Sequence, residues 1–198
     1  MENTAHKPDR RVARTKKAIK NAFAELMSEK EISEITVKDI AETADVNRKT
    51  FYNYYNSVYD IVNEIENELV LAFDNVLSNI DFKQEMKNPY GIFEKLTGVI
   101  NQDFDFYSRL MKMNHNANLM QKLYVALKDR MKASFLSQTE IEEPQLDIVV
   151  NYMISGMLSV YQSWFNSDRV ESIEELSKTV SIMTFSGING FLRQDNSK

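Results

Sequence analysis

Residues Thr36 to Asp60, TVKDIAETADVNRKTFYNYYNSVYD, fit two short helices and a tight turn into 25 residues, and no other stretch narrows the fold as far. Thr36 supplies an N-cap hydroxyl, and Asp39 places a carboxylate three positions on, where the positive end of a helix favours negative charge. Val37, Ile40, Ala41 and Ala44 follow at i, i+3, i+4 and i+7, the stripe of a helix of about two turns with one buried side. Asp45-Val46-Asn47 breaks that period. Val46 reads as a buried plug, and Asn47 as the N-cap of a second helix that starts at Arg48. At about 100° per residue, Phe51, Tyr54 and Tyr55 share a face, so Lys49 and Asn53 point away from it, flanked by Arg48, Thr50 and Tyr52. The pattern is a helix-turn-helix, and it implies DNA.

An outward face of Arg, Lys, Asn and Thr suits a major groove, which admits a helix and presents donors and acceptors along base edges. Taken singly, these are ordinary solvated side chains of a surface helix. The capped first helix, the apolar turn and the aromatic underside occurring together carry the DNA reading. Arg48, Lys49, Thr50 and Asn53 are the expected base readers, with Thr36, Lys38 and Tyr52 on phosphates. Asn47 and Tyr54 complete the contact set.

The run from about Arg14 to Glu64, and IAETADVNRKTFYNYYNS most of all, resembles the DNA-binding head of the TetR family of bacterial transcriptional regulators. That resemblance implies a three-helix head followed by a larger helical body for ligand binding and dimerisation, and a function most often repressive. Two positions depart from the family pattern: Asp45 stands where Gly is usual, and Val58 where a phosphate-gripping Lys is usual. The stretch NYMISGMLSVYQSWFNSDRVESIEEL is loosely similar to the C-terminal region of a subgroup that includes a regulator of dihydroxyacetone kinase genes.

A net charge of −5 suits a DNA binder only when it is divided by region. Residues 1–60 hold 11 Lys and Arg against 10 Asp and Glu, whereas the remainder holds 13 against 19. Lys7, Arg10, Arg11, Arg14, Lys16, Lys17 and Lys20 face only Asp9, which makes a basic arm able to neutralise phosphates at the start of the first helix. Hydrophobic residues at 43%, with 5 Gly and 3 Pro, favour a compact helical chain. The chain has no Cys, which leaves no disulfide scaffold and no thiolate zinc site. No apolar secretion signal opens it, and a cytoplasmic location is the expectation.

The periodicity predicts an all-α chain of about nine helices, with a DNA-binding domain over 1–56 and a helical body over 57–198. Helix one runs from near Arg10 to Ser28, with Ile19, Ala22, Phe23 and Leu26 as its stripe. Ser57 caps a long fourth helix through Ile61, Ile65, Leu69, Ala72 and Val76. Asp81–Asn88 reads as a loop, and Asn88-Pro89 opens helix five. Further helices are predicted over 105–114 and 118–139, from Pro144 to about Asn166, and from a Ser172/Glu175 capping box to about Leu192.

Ile148 to Ser167 is 20 residues without a charge, and Thr179 to Leu192 is uncharged too. Asn151, Ser155, Ser159, Gln162, Ser163 and Asn166 are too polar for an isolated membrane span, and no flanking Lys/Arg cluster fixes an orientation. A helix without charge all round needs cover on more than one side, so a partner subunit is the leading expectation. Ser155, Ser159, Ser163, Ser181 and Thr184, with Ser177, are the small residues expected at a four-helix homodimer interface. Twofold symmetry then sets two reading helices roughly 34 Å apart on a near-palindromic operator.

The family resemblance also implies an effector pocket in the body. Phe104, Tyr107, Met111, Tyr124, Tyr152 and Trp164, together with Phe106 and Met113, are the large side chains able to line it, and no charged partner marks the class of the small molecule. No cofactor and no metal is expected, because the only histidines are His6 in the arm and His115 among asparagines. Without a Cys nucleophile or a glycine-rich phosphate loop, an enzyme is not expected. A second reading stays open: a protein-docking co-regulator or activator with weak DNA affinity of its own, consistent with Val58 and the modest charge of the head.

Overall fold

The computed structural model describes residues 10–80, 88, 90–112, 117–136 and 142–195; the expectations at His6, Lys7, Pro89, Met113 and His115 lie outside them. Among the described residues the chain is all-α, with nine α-helices and no strand. These are α1 (Arg10–Glu29), α2 (Val37–Thr43), α3 (Arg48–Tyr52), α4 (Val58–Ser78), α5 (Tyr90–Asn101), α6 (Phe104–Lys112), α7 (Ala117–Leu136), α8 (Glu143–Phe165) and α9 (Ile173–Asp195). A short 3-10 turn, Ile32–Glu34, precedes α2. The chain divides into two compact units, Met1–Ile65 and Glu66–Lys198.

In the first unit, α1 buries Ile19, Ala22, Phe23, Leu26 and Met27. That spacing is one face of a 3.6-residue helix. Ile35, Ile40, Ala41, Phe51, Tyr55, Val58, Ile61, Val62 and Ile65 complete the core. Val58, at the position where the family usually carries a Lys, is therefore a core residue.

In the second unit, α7 packs along α8, and α9 packs on both α5 and α8. Ion pairs and hydrogen bonds join this unit's part of α4 to α7: Glu66, only 3% exposed, accepts from Asn118 at 2.6 Å and Lys122 at 3.0 Å, and Arg130 clasps Asp74. Helix α9 begins in the predicted capping box, in which Ser172 accepts from the Glu175 N–H and Glu175 accepts from the Ser172 N–H. No helix among the described residues is long and apolar enough to cross a membrane.

Two expectations need correction. Val46 is half-buried rather than a buried plug, since it stands one residue beyond the left-handed Asp45, where the chain has already left α2. Ser177 and Ser181 do not lie on an outer face: they are 0% and 1% exposed within the unit itself.

Candidate nucleic-acid interface

The helix-turn-helix is assembled from local hydrogen bonds. Thr36 caps α2 by accepting from the Asp39 N–H at 3.2 Å, while the Asp39 carboxylate accepts from the Thr36 N–H at 3.0 Å and from its hydroxyl at 2.9 Å. These contacts, led by the Thr36 N–H and hydroxyl, hold the Asp39 carboxyl below its usual range. The Thr36 hydroxyl is thus engaged inside its own capping box.

At the other end of α2, the Val46 N–H donates to the Ala41 carbonyl at 2.9 Å and the Asp45 N–H to the Glu42 carbonyl at 3.2 Å. This crossed pair is a Schellman motif, which needs a left-handed residue between its two bonds. Asp45 takes that role at φ 52°. The family's usual Gly at this position is explained by the same geometry, since Asp is among the few side chains that tolerate it.

Asn47 then caps α3, its Oδ1 accepting from the Thr50 N–H at 2.8 Å. Beneath α3, Phe51 is 0% exposed and Tyr55 3% exposed, with ring centroids 5.7 Å apart. Above it, Arg48, Lys49, Tyr52 and Asn53 are exposed and contiguous, and Thr50 and Tyr54 are half-buried at their edges. Arg48 and Lys49 enter no ion pair among the described residues. Lys38 is exposed but lies 3.9 Å from Glu42, an i,i+4 pair at the surface.

Sequence reasoning did not single out the clasp at Glu64, whose one local trace is the i,i+4 spacing of Lys16 and Lys20. Its carboxylate takes Lys16 at 2.6 Å and Lys20 at 3.5 Å, and Lys16 also lies 5.2 Å from the Tyr55 ring centroid. Burial pushes the Glu64 carboxyl up, but the Lys16 hydrogen bond and the charges of Lys16 and Lys20 outweigh it, and the net shift is down. Two of the arm's cations are therefore paired within the first unit, while Arg10, Arg14 and Lys17 are exposed.

In the second unit, a cavity of about 60 Å³ opens between α5, α7 and α8. Of the six residues expected to line a pocket, Met111 lines it. Phe104 and Trp164 instead hold the Arg169 guanidinium, 5.5 and 6.0 Å from their ring centroids, and Arg169 donates to Ser108 at 2.8 Å. Tyr107 packs on Phe106, and the Tyr124 hydroxyl donates to Asn151 at 2.6 Å. Tyr152 is 82% exposed, on the outer groove of α8 and α9. The cavity is instead lined by side chains including Phe93, Thr97, Met157, Tyr161 and Gln162, which sequence reasoning did not single out.

That outer groove holds about 470 Å³ and is lined by Ile148, Tyr152, Gly156, Val160, Met183 and Thr184 among others. Ser155, Ser159 and Ser163 are exposed on α8, and Thr184 is half-buried.

Residues 19–65 match the family model described as "Bacterial regulatory proteins, tetR family", and residues 87–186 match "Transcriptional regulator C-terminal region". The chain belongs to the TetR family. Among curated relatives it is 25% identical over 167 residues, 82% of its length, to YxbF of Bacillus subtilis, an uncharacterised HTH-type transcriptional regulator. It is 40% identical over 63 residues, 31% of its length, to DhaS of Lactococcus lactis, the dhaKLM operon transcriptional activator. These matches span 42% of YxbF and 34% of DhaS, less than half of either relative. A solved TetR-family regulator of Syntrophomonas wolfei superposes with a TM-score of 0.71 at 12% identity, over 87% of this chain and 94% of the other.

Proposed function

We propose that this TetR-family protein binds a near-palindromic DNA operator as a homodimer, with α3 of each protomer in a major groove, and that a small molecule in the body lowers that affinity. The direction is repression. One observation carries the reading: Arg48, Lys49 and Tyr52 of α3, with Asn53 at its C-cap, stand exposed together while Phe51 beneath them is fully buried. A face held that way meets the groove with little side-chain reorganisation, and Arg, Lys and Asn match the donor and acceptor pattern of base edges.

The exposed apolar groove of α8 and α9 supports the homodimer. Ile148, Tyr152, Ile182 and Met183 are all more than half exposed, an unusual load for two helices that carry no charge over most of their length. A dimer also sets the two reading helices about one DNA turn apart.

The test is selection of bound duplexes from a random pool, followed by titration of the recovered operator. A palindrome is the expected product. Lys49→Ala with Asn53→Ala should reduce specific binding by at least about thirtyfold, since each good base contact is worth about 1–3 kcal/mol. The dimer mass in sedimentation should not change. Unchanged operator affinity in the double variant refutes the assignment of α3.

The relation to the activator DhaS, together with Val58 in the core where a phosphate-gripping Lys is usual, favours a second reading: a co-regulator or activator that docks another protein and binds DNA weakly by itself. Recovery of no operator from the random pool, alongside a stoichiometric protein partner, is the outcome that selects it.

A further inference from the structure

The 60 Å³ cavity has a neighbour of about 30 Å³ in the same unit. Phe93, Leu96, Leu127 and Met157 line both. Beyond that shared wall the smaller void continues towards Leu77, Met131 and Phe185, whereas the larger one ends at Thr97, Tyr161 and Gln162. The two voids therefore lie in series, separated by four side chains, one of them an unbranched and flexible thioether. No Asp, Glu, Lys, Arg or His lines either void among the described residues.

The polar end has a definite structure. Ser177, wholly buried, bridges Thr97 at 2.9 Å and Tyr161 at 2.6 Å. Each hydroxyl has one proton and two lone pairs. However the protons are arranged in that chain, Thr97 and Tyr161 keep lone pairs that Ser177 does not use, and both residues line the cavity.

Resting on the reading of the body as the effector-binding unit, we propose that the paired cavities take a straight-chain aliphatic alcohol, its hydroxyl donating to Thr97 or Tyr161 and its hydrocarbon passing Met157 into the second void. Neither void alone nor the two together hold an eight-carbon chain at their present size, so entry requires Met157 to swing aside and join them and the flexible lining around it to move outward. A carboxylate in the same place is buried without a cation, and an ammonium without an anion; both are costly in a low-dielectric interior. Gln162 brings a neutral amide and cannot offset either charge. Burial pushes the Tyr161 hydroxyl above its usual range against the pull of its Ser177 and Thr97 hydrogen bonds, so the polar end is itself uncharged at neutral pH.

Isothermal titration of the full-length protein with n-octanol, octanoate and octylammonium tests the class directly. The expected result is octanol binding at least about tenfold tighter than either ion, and a loss of about twofold to tenfold in octanol affinity for Thr97→Val and for Tyr161→Phe, the range one neutral hydrogen bond supplies. Thermal melts report whether each variant folds; if neither does, the ranking of the three ligands on the unaltered protein still decides. Octanoate or octylammonium binding as tightly as octanol, or no octanol binding up to its solubility, overturns the proposal. So do folded variants that keep full octanol affinity. Operator titrations with the same ligands separate this from the regulatory reading. Octanoate that binds and releases DNA overturns the alcohol assignment but leaves the regulator standing; octanol that binds without altering DNA affinity upholds the cavity and overturns the effector role.

Discussion

Polar groups do different work in the two units of this protein. In the first unit, apart from the ion pairs of Glu64, they sit at helix ends and join residues three or four apart: Thr36 with Asp39, Asn47 with Thr50, and Asn56 with Asp60, whose carboxylate accepts from the Asn56 N–H at 2.7 Å. In the second unit, the buried hydroxyls of Thr97, Tyr161 and Ser177 come from three different helices and meet beside a void. Short-range bonds define the conformation of the head one turn at a time and hold α3 rigid. Long-range apolar packing with gaps leaves the body able to rearrange around a guest. A reading surface needs the first property, and a ligand cavity needs the second.

Phe51→Ala presses hardest on this contrast. Phe51 is wholly buried under α3, and truncating such a ring costs about 3–5 kcal/mol, a large share of what a small domain has. Chemical denaturation followed by circular dichroism should show the head unfolding early, and operator binding should vanish with it. A loss under about 1 kcal/mol would mean that α3 is not held from beneath, and the rigid head would be the wrong description.

Ser177→Ala asks the matching question of the body. Removing this hydroxyl deprives both Thr97 and Tyr161 of their partner, at a cost of about 1–3 kcal/mol if neither finds another. Tyr161 and Thr97 keep the hydrogen bond between them, so the lower end of that range is expected in a thermal melt. A loss as large as that of Phe51→Ala would show the body to be as rigid as the head.

The same contrast explains what the sequence discloses. The pairs Thr36 with Asp39 and Ser172 with Glu175 are legible because their partners are three residues apart, and the long helices are legible from their 3.6-residue period. The orientation of a helix within the body is not local. Ser155, Ser159 and Ser163 recur every four residues on the outside of α8, while Ser177 and Ser181 recur at the same interval inside α9. Spacing alone does not distinguish these two faces. Size misleads in a similar way: Tyr152 is the right type for a pocket wall, but its helix turns it outward, and Phe104 and Trp164 are occupied by Arg169. The Glu64 clasp joins residues 48 positions apart, and its only local trace is the i,i+4 spacing of Lys16 and Lys20.

The smallest effect concerns backbone rather than contacts. Asp45 holds φ 52° at the end of α2, where the Schellman bonds of Val46 and Asp45 fix the turn into α3. A left-handed conformation costs an L-residue roughly 1–2 kcal/mol, somewhat less for Asp, and costs Gly nothing. Gly also adds freedom to the unfolded chain, which returns part of that gain. Asp45→Gly should therefore raise stability by only about 0.5 kcal/mol, whereas Asp45→Val, with a branched Cβ, should lower it by about 1–2 kcal/mol. In the body the preference reverses. A Cβ at Gly98, in the last turn of α5, meets nothing within 4 Å, so Gly98→Ala should stabilise by about 0.5 kcal/mol through helix propensity alone, less than in a helix interior. Melting curves of the three single variants decide the matter: a destabilising Asp45→Gly would mean that the Asp45 side chain, and not its backbone angle, holds the turn of the reading unit.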